Sequence, residues 1–289
     1  MTVYNLDSPT LATTYDVLSN SQFVRGSELV DRLDIQANHV VLDIGAGTGR
    51  LGLHVLEKKL DIDGKLIGID PLEERIKVAK AKNRYANGEF LVGTAEDLSF
   101  LERESVDHVY LSSVFHWVPD KKKALAEIFR VLKPGGKVGI TTGARELSDS
   151  TTIHKVLNQI LLGPKYSNRV NIHDYVTSRQ GTTTTELINL LSEAGFEVES
   201  VEVHRNQTRH ESGEVFVDFL ESSTFGNYLA HVPEDLRPAA RAEFVEALEL
   251  LNHGNGIESI GHGISAIAQK PAPIKRRPIG CEGCTGCSQ

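Results

Sequence analysis

An apolar run that stops at an acid and then sets three glycines two residues apart, V-L-D-I-G-A-G-T-G-R-L-G at 41–52, leaves few folds open to this chain. Such a segment passes from a buried strand through a tight turn into a helix, and the turn is shaped to receive a nucleotide. Gly45, Gly47 and Gly49 can adopt positive φ and carry no side chain, so backbone can press against a ligand while the next helix offers its free N–H groups. Asp43 narrows the choice of ligand. A carboxylate at the mouth of the loop repels a pyrophosphate and attracts a cationic amino acid or sulfonium group.

The following segments repeat the strand-to-turn pattern. K-L-I-G-I-D-P ends at Asp70 about twenty residues after the glycines, where an acid holds ribose hydroxyls. The same Asp70 can cap the helix opening at Pro71, with Glu73 and Glu74 in its first turn and Lys77, Lys80 and Lys82 further along. Both roles are compatible. E-F-L-V-G-T then leads to Ala95-Glu96-Asp97, and V-D-H-V-Y-L-S-S-V leads to Phe115-His116-Trp117-Val118-Pro119. A helical pattern, a Gly-Gly turn and the strand V-G-I-T-T follow. Strand and helix alternate five times over 40–142, which demands a parallel sheet with right-handed crossovers.

These segments resemble the class I S-adenosylmethionine-dependent methyltransferases. D-I-G-A-G-T-G is similar to that family's first motif, G-I-D-P to its ribose motif, G-T-A-E-D-L to its adenine motif and V-L-K-P-G-G-K-V to its late turn. The likeness is greatest to the small-molecule branch with the trans-aconitate, ubiquinone- and biotin-pathway enzymes, through S-S-V-F-H-W-V-P-D. It implies a Rossmann-like, seven-stranded, mostly parallel sheet with helices on both faces, a helical N-terminal cap and helical insertions near the C-terminal strands. It also implies S-adenosylmethionine as cofactor. Asp43, Gly45, Gly47 and Gly49 would hold the methionine end and Asp70 with Pro71 the ribose. Thr94, Ala95, Glu96 and Asp97 would meet the adenine, with Thr94 standing where the family often has an acid. Ser112 and Ser113 would touch the cofactor, or simply be small enough to let it approach.

The implied division is a helical cap at 1–35, a methyltransferase domain at 36–270 with insertions at 144–180 and 211–258, and a Cys-containing tail at 271–289. The two insertions fall where an open α/β sheet would build a lid over its substrate. The cap and the first insertion are expected to close over the cofactor. A formal charge of −8 and a pI near 5.8 give no basic footprint for nucleic acid. No run reaches membrane-spanning length and the N-terminus lacks a signal-peptide pattern, so a cytoplasmic enzyme acting on a small molecule is expected.

Methyl transfer asks little of side chains, because the donor is already a good leaving group and the nucleophile needs only an in-line approach at about 3 to 3.5 Å. A general base matters only if the acceptor must lose a proton. His116, just past the fourth strand, is the candidate for that role, or else it orients the loop beside Trp117. Tyr15, His154, Tyr166, Arg169, His173, Tyr175, Arg179 and His210 form the pool of possible acceptor contacts, and an arginine clamp on a carboxylate is the sharpest version. All three cysteines lie at 281, 284 and 287, so nothing staples the body of the chain. Three thiols at that spacing can converge on one soft ion or trivalent arsenic, which keeps arsenite or thiol methylation as an alternative, beside a non-catalytic cofactor-binding scaffold.

Overall fold

The computed structural model describes residues 7–171 and 181–273, without the side chains of 149 and 150. The polypeptide starts with two helices, α1 (Pro9–Leu18) and α2 (Asn20–Asp31). Ser8 starts α1 by accepting the Leu11 N–H at 3.2 Å, and Pro9 supplies a preset φ at the first helical position. The alternating half follows as β1 (Val40–Ile44), α3 (Arg50–Lys58), β2 (Lys65–Asp70), α4 (Glu73–Lys82) and β3 (Gly88–Val92). It continues with β4 (Val106–Ser112), α5 (Lys121–Val131) and β5 (Leu132–Gly143). The C-terminal half contains α6 (Thr152–Leu161), α7 (Thr184–Glu193), β6 (Glu197–His210), α8 (Gly213–Ser223), α9 (Arg237–Glu249) and β7 (Ile257–Gln269).

One seven-stranded sheet takes the order β3-β2-β1-β4-β5-β7-β6. Strands β1 to β5 are parallel, whereas β7 runs antiparallel to both β5 and β6, giving the mostly parallel Rossmann-like sheet that the motifs implied. Chain order reverses between β1 and β4. A crevice opens at the carboxyl ends of those two strands, which is where open α/β sheets bind ligands.

The sheet is covered on both faces. Leu125 and Ile128 of α5 and Leu187 and Leu191 of α7 fill one side, each fully buried. Leu29 and Val30 of α2, Val55 and Leu56 of α3 and Ile76 of α4 fill the other. Removing such a side chain from water is worth about 1.5 to 3 kcal/mol. A separate apolar cluster joins α6, α8 and α9 through Leu157, Leu161, Phe216, Leu220, Phe244 and Leu248. These helices bury their stripes against one another and against the far ends of β6 and β7, where Ile257 joins the cluster and His210 stacks on Phe216, and so form a second layer. β6 and β7 pair along their whole lengths, from Glu197 opposite Gln269 to His210 opposite Ile257, and project toward that layer as a twisted arm. Lys270 closes the described fold, its buried ammonium donating to the Phe129 and Leu132 carbonyls at 2.9 and 2.8 Å.

Candidate functional site

The glycine turn after β1 forms the floor of a cavity of about 410 Å³ at the β1/β4 crevice. Gly45 has φ +76°, and a Cβ there would lie 2.1 Å from Val114 Cγ2, so no other residue fits. Gly47, at φ +55°, is open except for the Tyr15 ring, whose Cε1 would be 3.7 Å from a Cβ. Gly47 therefore presents bare backbone to the cavity beneath a ring supplied by α1. Gly49 serves the fold instead. It heads α3 at φ +80° with Ala79 pressed against it, and it does not line the cavity.

Asp70 is buried at the end of β2. One carboxylate oxygen accepts the Gly47 N–H and the other the Leu72 N–H, both at 2.9 Å, so this side chain ties the glycine turn to the start of α4. Burial raises its pKa, while the two backbone donors and Arg75 resist. Each oxygen retains a free lone pair for a ligand hydroxyl, so pinning the loop and binding a ribose do not compete. Pro71, Thr94, Ala95, Glu96, Ser112 and Ser113 line the same cavity as Asp70. Asp97 is exposed outside it, its Oδ1 accepting the Ser99 N–H at 3.1 Å. Ser113 holds φ +60° because its N–H is drawn to the Thr141 carbonyl and hydroxyl at 3.0 and 2.8 Å.

Asp43 departs from its expected position. It is 2 % exposed, outside the cavity lining, and its Oδ2 lies 3.2 Å from where a Gly52 Cβ would stand. Burial pushes its pKa up to about 7. The Tyr110 hydroxyl nearby favours the charged form without meeting hydrogen-bond geometry, and Asp43 Oδ2 is left without a partner among the described residues. Proximity in sequence to the glycines did not put the carboxylate beside their ligand, because alternation along β1 sends this side chain toward α3 rather than over the strand end.

The cap closes by polar contacts. Asp16 of α1 accepts from the Thr48 hydroxyl at 2.6 Å and from Lys82 at 2.7 Å, and Arg50 donates to the Asp16 carbonyl at 3.1 Å. Arg75 is buried between the Tyr15 and Phe225 rings, at 4.3 and 4.9 Å from their centroids, and donates to the Ser222 carbonyl at 2.6 Å. One arginine thus joins α1, α4 and the end of α8 across the cavity. Of the 144–180 insertion expected to close over the cofactor, 172–180 lie outside the described residues. The cover comes from Tyr15 and from Ser223 and Phe225, and no described residue of 144–180 lines this cavity.

A second cavity of about 820 Å³ adjoins the first, and Tyr15, Ser113, Trp117 and Ser223 line both. His116 belongs to the second, with its Nδ1 3.4 Å from Thr142 Oγ1 and its ring tilted against Trp117 at 5.1 Å. The other walls are α2, the end of β5, the start of α6 at Thr151 and Ile153, Phe219 and Leu220 of α8, and the β6–β7 arm. Of the expected acceptor contacts among the described residues, only Tyr15 stands here. His154 bonds the Ser148 carbonyl at 2.7 Å, Tyr166 is buried among the second-layer helices, Arg169 pairs with Asp235 at 2.8 Å, and His210 stacks flat on Phe216 at 4.0 Å. His173, Tyr175, Arg179 and the cysteines 281, 284 and 287 lie outside the described residues. Among the described residues no group of acidic, histidine or cysteine side chains is arranged to hold a metal ion. None of their helices is long and apolar enough to cross a membrane.

Sequence reasoning missed Arg25, Arg75 and Phe225. Their signals are absent from any motif, since each reaches the site through packing between segments distant in the chain.

Residues 42–140 match the methyltransferase domain family. An uncharacterized methyltransferase of Mycobacterium tuberculosis is 38% identical over 41% of this chain and 46% of its own length. An arsenite methyltransferase of Halobacterium salinarum is 30% identical over 70% of this chain and 47% of its own. The chain thus spans about half the length of these curated relatives. The solved YcgJ protein of Bacillus subtilis superposes with a TM-score of 0.59 at 20% identity, over 85% of this chain and 97% of that one. By motifs, fold and match, residues 42–140 carry a methyltransferase domain of the class I S-adenosylmethionine-dependent kind.

Proposed function

We propose that this protein binds S-adenosylmethionine in the smaller cavity and transfers its methyl group to a small molecule held in the larger one. The observation that carries this reading is the shared wall of Tyr15, Ser113, Trp117 and Ser223, which lets a donor and an acceptor face each other across one opening. The residues present fit the donor: bare backbone at Gly45 and Gly47, a buried acid with spare acceptor capacity at Asp70, and a slot from Thr94 to Glu96 for a flat base. When bound, S-adenosylmethionine supplies a methyl group on a positively charged sulfur that leaves as a neutral thioether.

The chain's own contribution is position and exclusion of water. Tyr15 and Trp117 flank the opening, and the cap held by Asp16, Arg50 and Arg75 keeps it covered. Holding two reactants in line is worth about 7 to 11 kcal/mol of barrier when geometry is near attack. His116 sits beside Thr142, and with Nδ1–H donated to that hydroxyl its Nε2 can accept a proton from an alcohol or amine acceptor. A carboxylate or thiolate acceptor needs no such step.

Calorimetry with S-adenosylhomocysteine tests the donor site, and labelled methyl transfer to a metabolite panel tests the activity. Asp70→Ala removes a charge-assisted partner worth about 1.5 to 3 kcal/mol, so affinity should fall about ten- to a hundredfold. Equal affinity in the variant, or preference of the wild type for NAD, overturns the assignment. Binding without any transfer favours the non-catalytic scaffold.

A second reading rests on Cys281, Cys284 and Cys287 beside relatives named arsenite methyltransferase. Every thiolate for trivalent arsenic would have to come from those three positions, since the sequence holds no other cysteine. Arsenite methylation in the presence of a thiol reductant, lost on changing all three to Ser, would establish it. Absence of arsenite turnover by the wild type ends that reading.

A further inference from the structure

We infer that the larger cavity selects an organic acid, and that Arg25 is the group that docks its carboxylate. The inference rests on the proposed methyl transfer for the identity of that cavity as the acceptor site, but its observation is separate. Arg25 lies on α2 and lines the cavity half-buried, and among the described residues none makes a hydrogen bond or ion pair with its guanidinium. Every other arginine tied into the cap is spoken for. Arg32, two turns on, is held by both Glu202 oxygens at 2.7 and 3.2 Å and by Ser200 and Ser265. Arg50 and Arg75 bind the cap and α8.

The position of Arg25 is built into the helix. Its neighbour Gly26 has no room for a Cβ, which would lie 2.6 Å from Leu51 Cδ2 and 2.8 Å from Ser112 Oγ. That contact presses α2 against the end of β4, and Arg32 fastens the far end of the helix to β6 and β7. Between these two fixed points Arg25 is carried into the acceptor cavity beside Tyr15.

Charge in the cavity runs against the charge of the molecule. The chain as a whole carries −8, yet the arginines lining this space are Arg25, Arg32 and Arg205 and the acids are Glu28 and Glu202. Arg32 and Glu202 neutralise each other, which leaves Arg25 and Arg205 against Glu28 alone. Glu28 is exposed, so water screens it, whereas Arg25 is withdrawn from water and burial disfavours its charge until an anion arrives. A guanidinium fork with no internal acceptor matches a carboxylate bidentately. A neutral polar acceptor would leave this cation half-desolvated and unpaired.

The experiment uses the full chain, free and loaded with S-adenosylhomocysteine, and matched probes: benzoate, phenylacetate, succinate and citrate against their amides. Binding is read by ligand-observed NMR and calorimetry. At least one acid should bind about tenfold or more tighter than its amide. Arg25→Gln should reduce that preference to about twofold or less, and Arg25→Lys should keep part of it as a point charge without the fork. S-adenosylhomocysteine affinity reports whether each variant is folded, and Arg25→Lys serves if Arg25→Gln is not. The proposal is overturned if no acid outbinds its amide, or if the preference survives in Arg25→Gln. Arg25-dependent acid binding without methyl transfer sinks the transfer reading and leaves this one standing; loss of acid preference with transfer intact does the reverse.

Discussion

The two cavities differ in how their walls are assembled. Most of the smaller one comes from turns at the ends of consecutive strands: Gly45 and Gly47 after β1, Asp70 and Pro71 after β2, Thr94 to Glu96 after β3, Ser112 and Ser113 after β4. Each turn carries a signature in its own few residues, a glycine at positive φ, an acid at a strand end or a pair of serines, and hydrogen bonds such as Gly47 to Asp70 then join one turn to the next. The larger cavity draws on α2, the 3-10 turn at Phe115–Trp117, the end of β5, the start of α6, α8, and facing residues of β6 and β7. Those pieces meet only because the sheet and the second-layer helices pack. The lesson is that donor chemistry is written in short motifs, while acceptor chemistry is written in tertiary contacts.

The strongest way to break the local half of this contrast is Gly45→Ala. A Cβ 2.1 Å from Val114 Cγ2 at φ +76° combines overpacking with a left-handed backbone, for a cost of about 2 to 5 kcal/mol. Urea unfolding should show it, with S-adenosylhomocysteine binding lost alongside. Wild-type stability in this variant would mean the turn has another resting shape.

Asp43 sharpens the contrast through pH. Its folded pKa of about 7 lies above the ordinary carboxylate value, so from about pH 4 to 7 the folded chain keeps a proton that the unfolded chain has released. Stability from this group is therefore full at low pH and lost as pH rises. His108, whose pKa burial lowers to about 4, slopes the other way, so the difference between variants is the proper measure. Relative to wild type, Asp43→Asn should gain about 2 to 3 kcal/mol in unfolding free energy between pH 5 and pH 8. A difference independent of pH would show that Asp43 is ionised throughout.

The smallest effect belongs to Arg169, which sequence reasoning placed among the acceptor contacts. It sits on the surface paired with Asp235, half-exposed, and exposed pairs are worth about 0 to 1 kcal/mol. Arg169→Ala should change neither the unfolding midpoint appreciably nor methyl transfer to any acceptor found. A drop in transfer would move the acceptor site toward the second-layer helices.

By itself the sequence determined the sheet and the donor half. Period-two apolar runs, glycine turns and an acid at a strand end act within a few residues, so strands, helices and the positions of Gly45, Gly47 and Asp70 could be read directly. Tertiary structure alone decided the rest. It turned Asp43 inward, set Gly49 and Asp97 outside the cavity, and moved His154, Tyr166 and His210 into structural roles. It also brought Arg75 between Tyr15 and Phe225, and Arg25 into a space walled by strands more than a hundred and fifty residues further along the chain. The physical reason is range: φ preferences and capping hydrogen bonds act between neighbours in sequence, whereas burial, charge pairing and hydrogen bonds such as that of Arg75 to the Ser222 carbonyl act between neighbours in space.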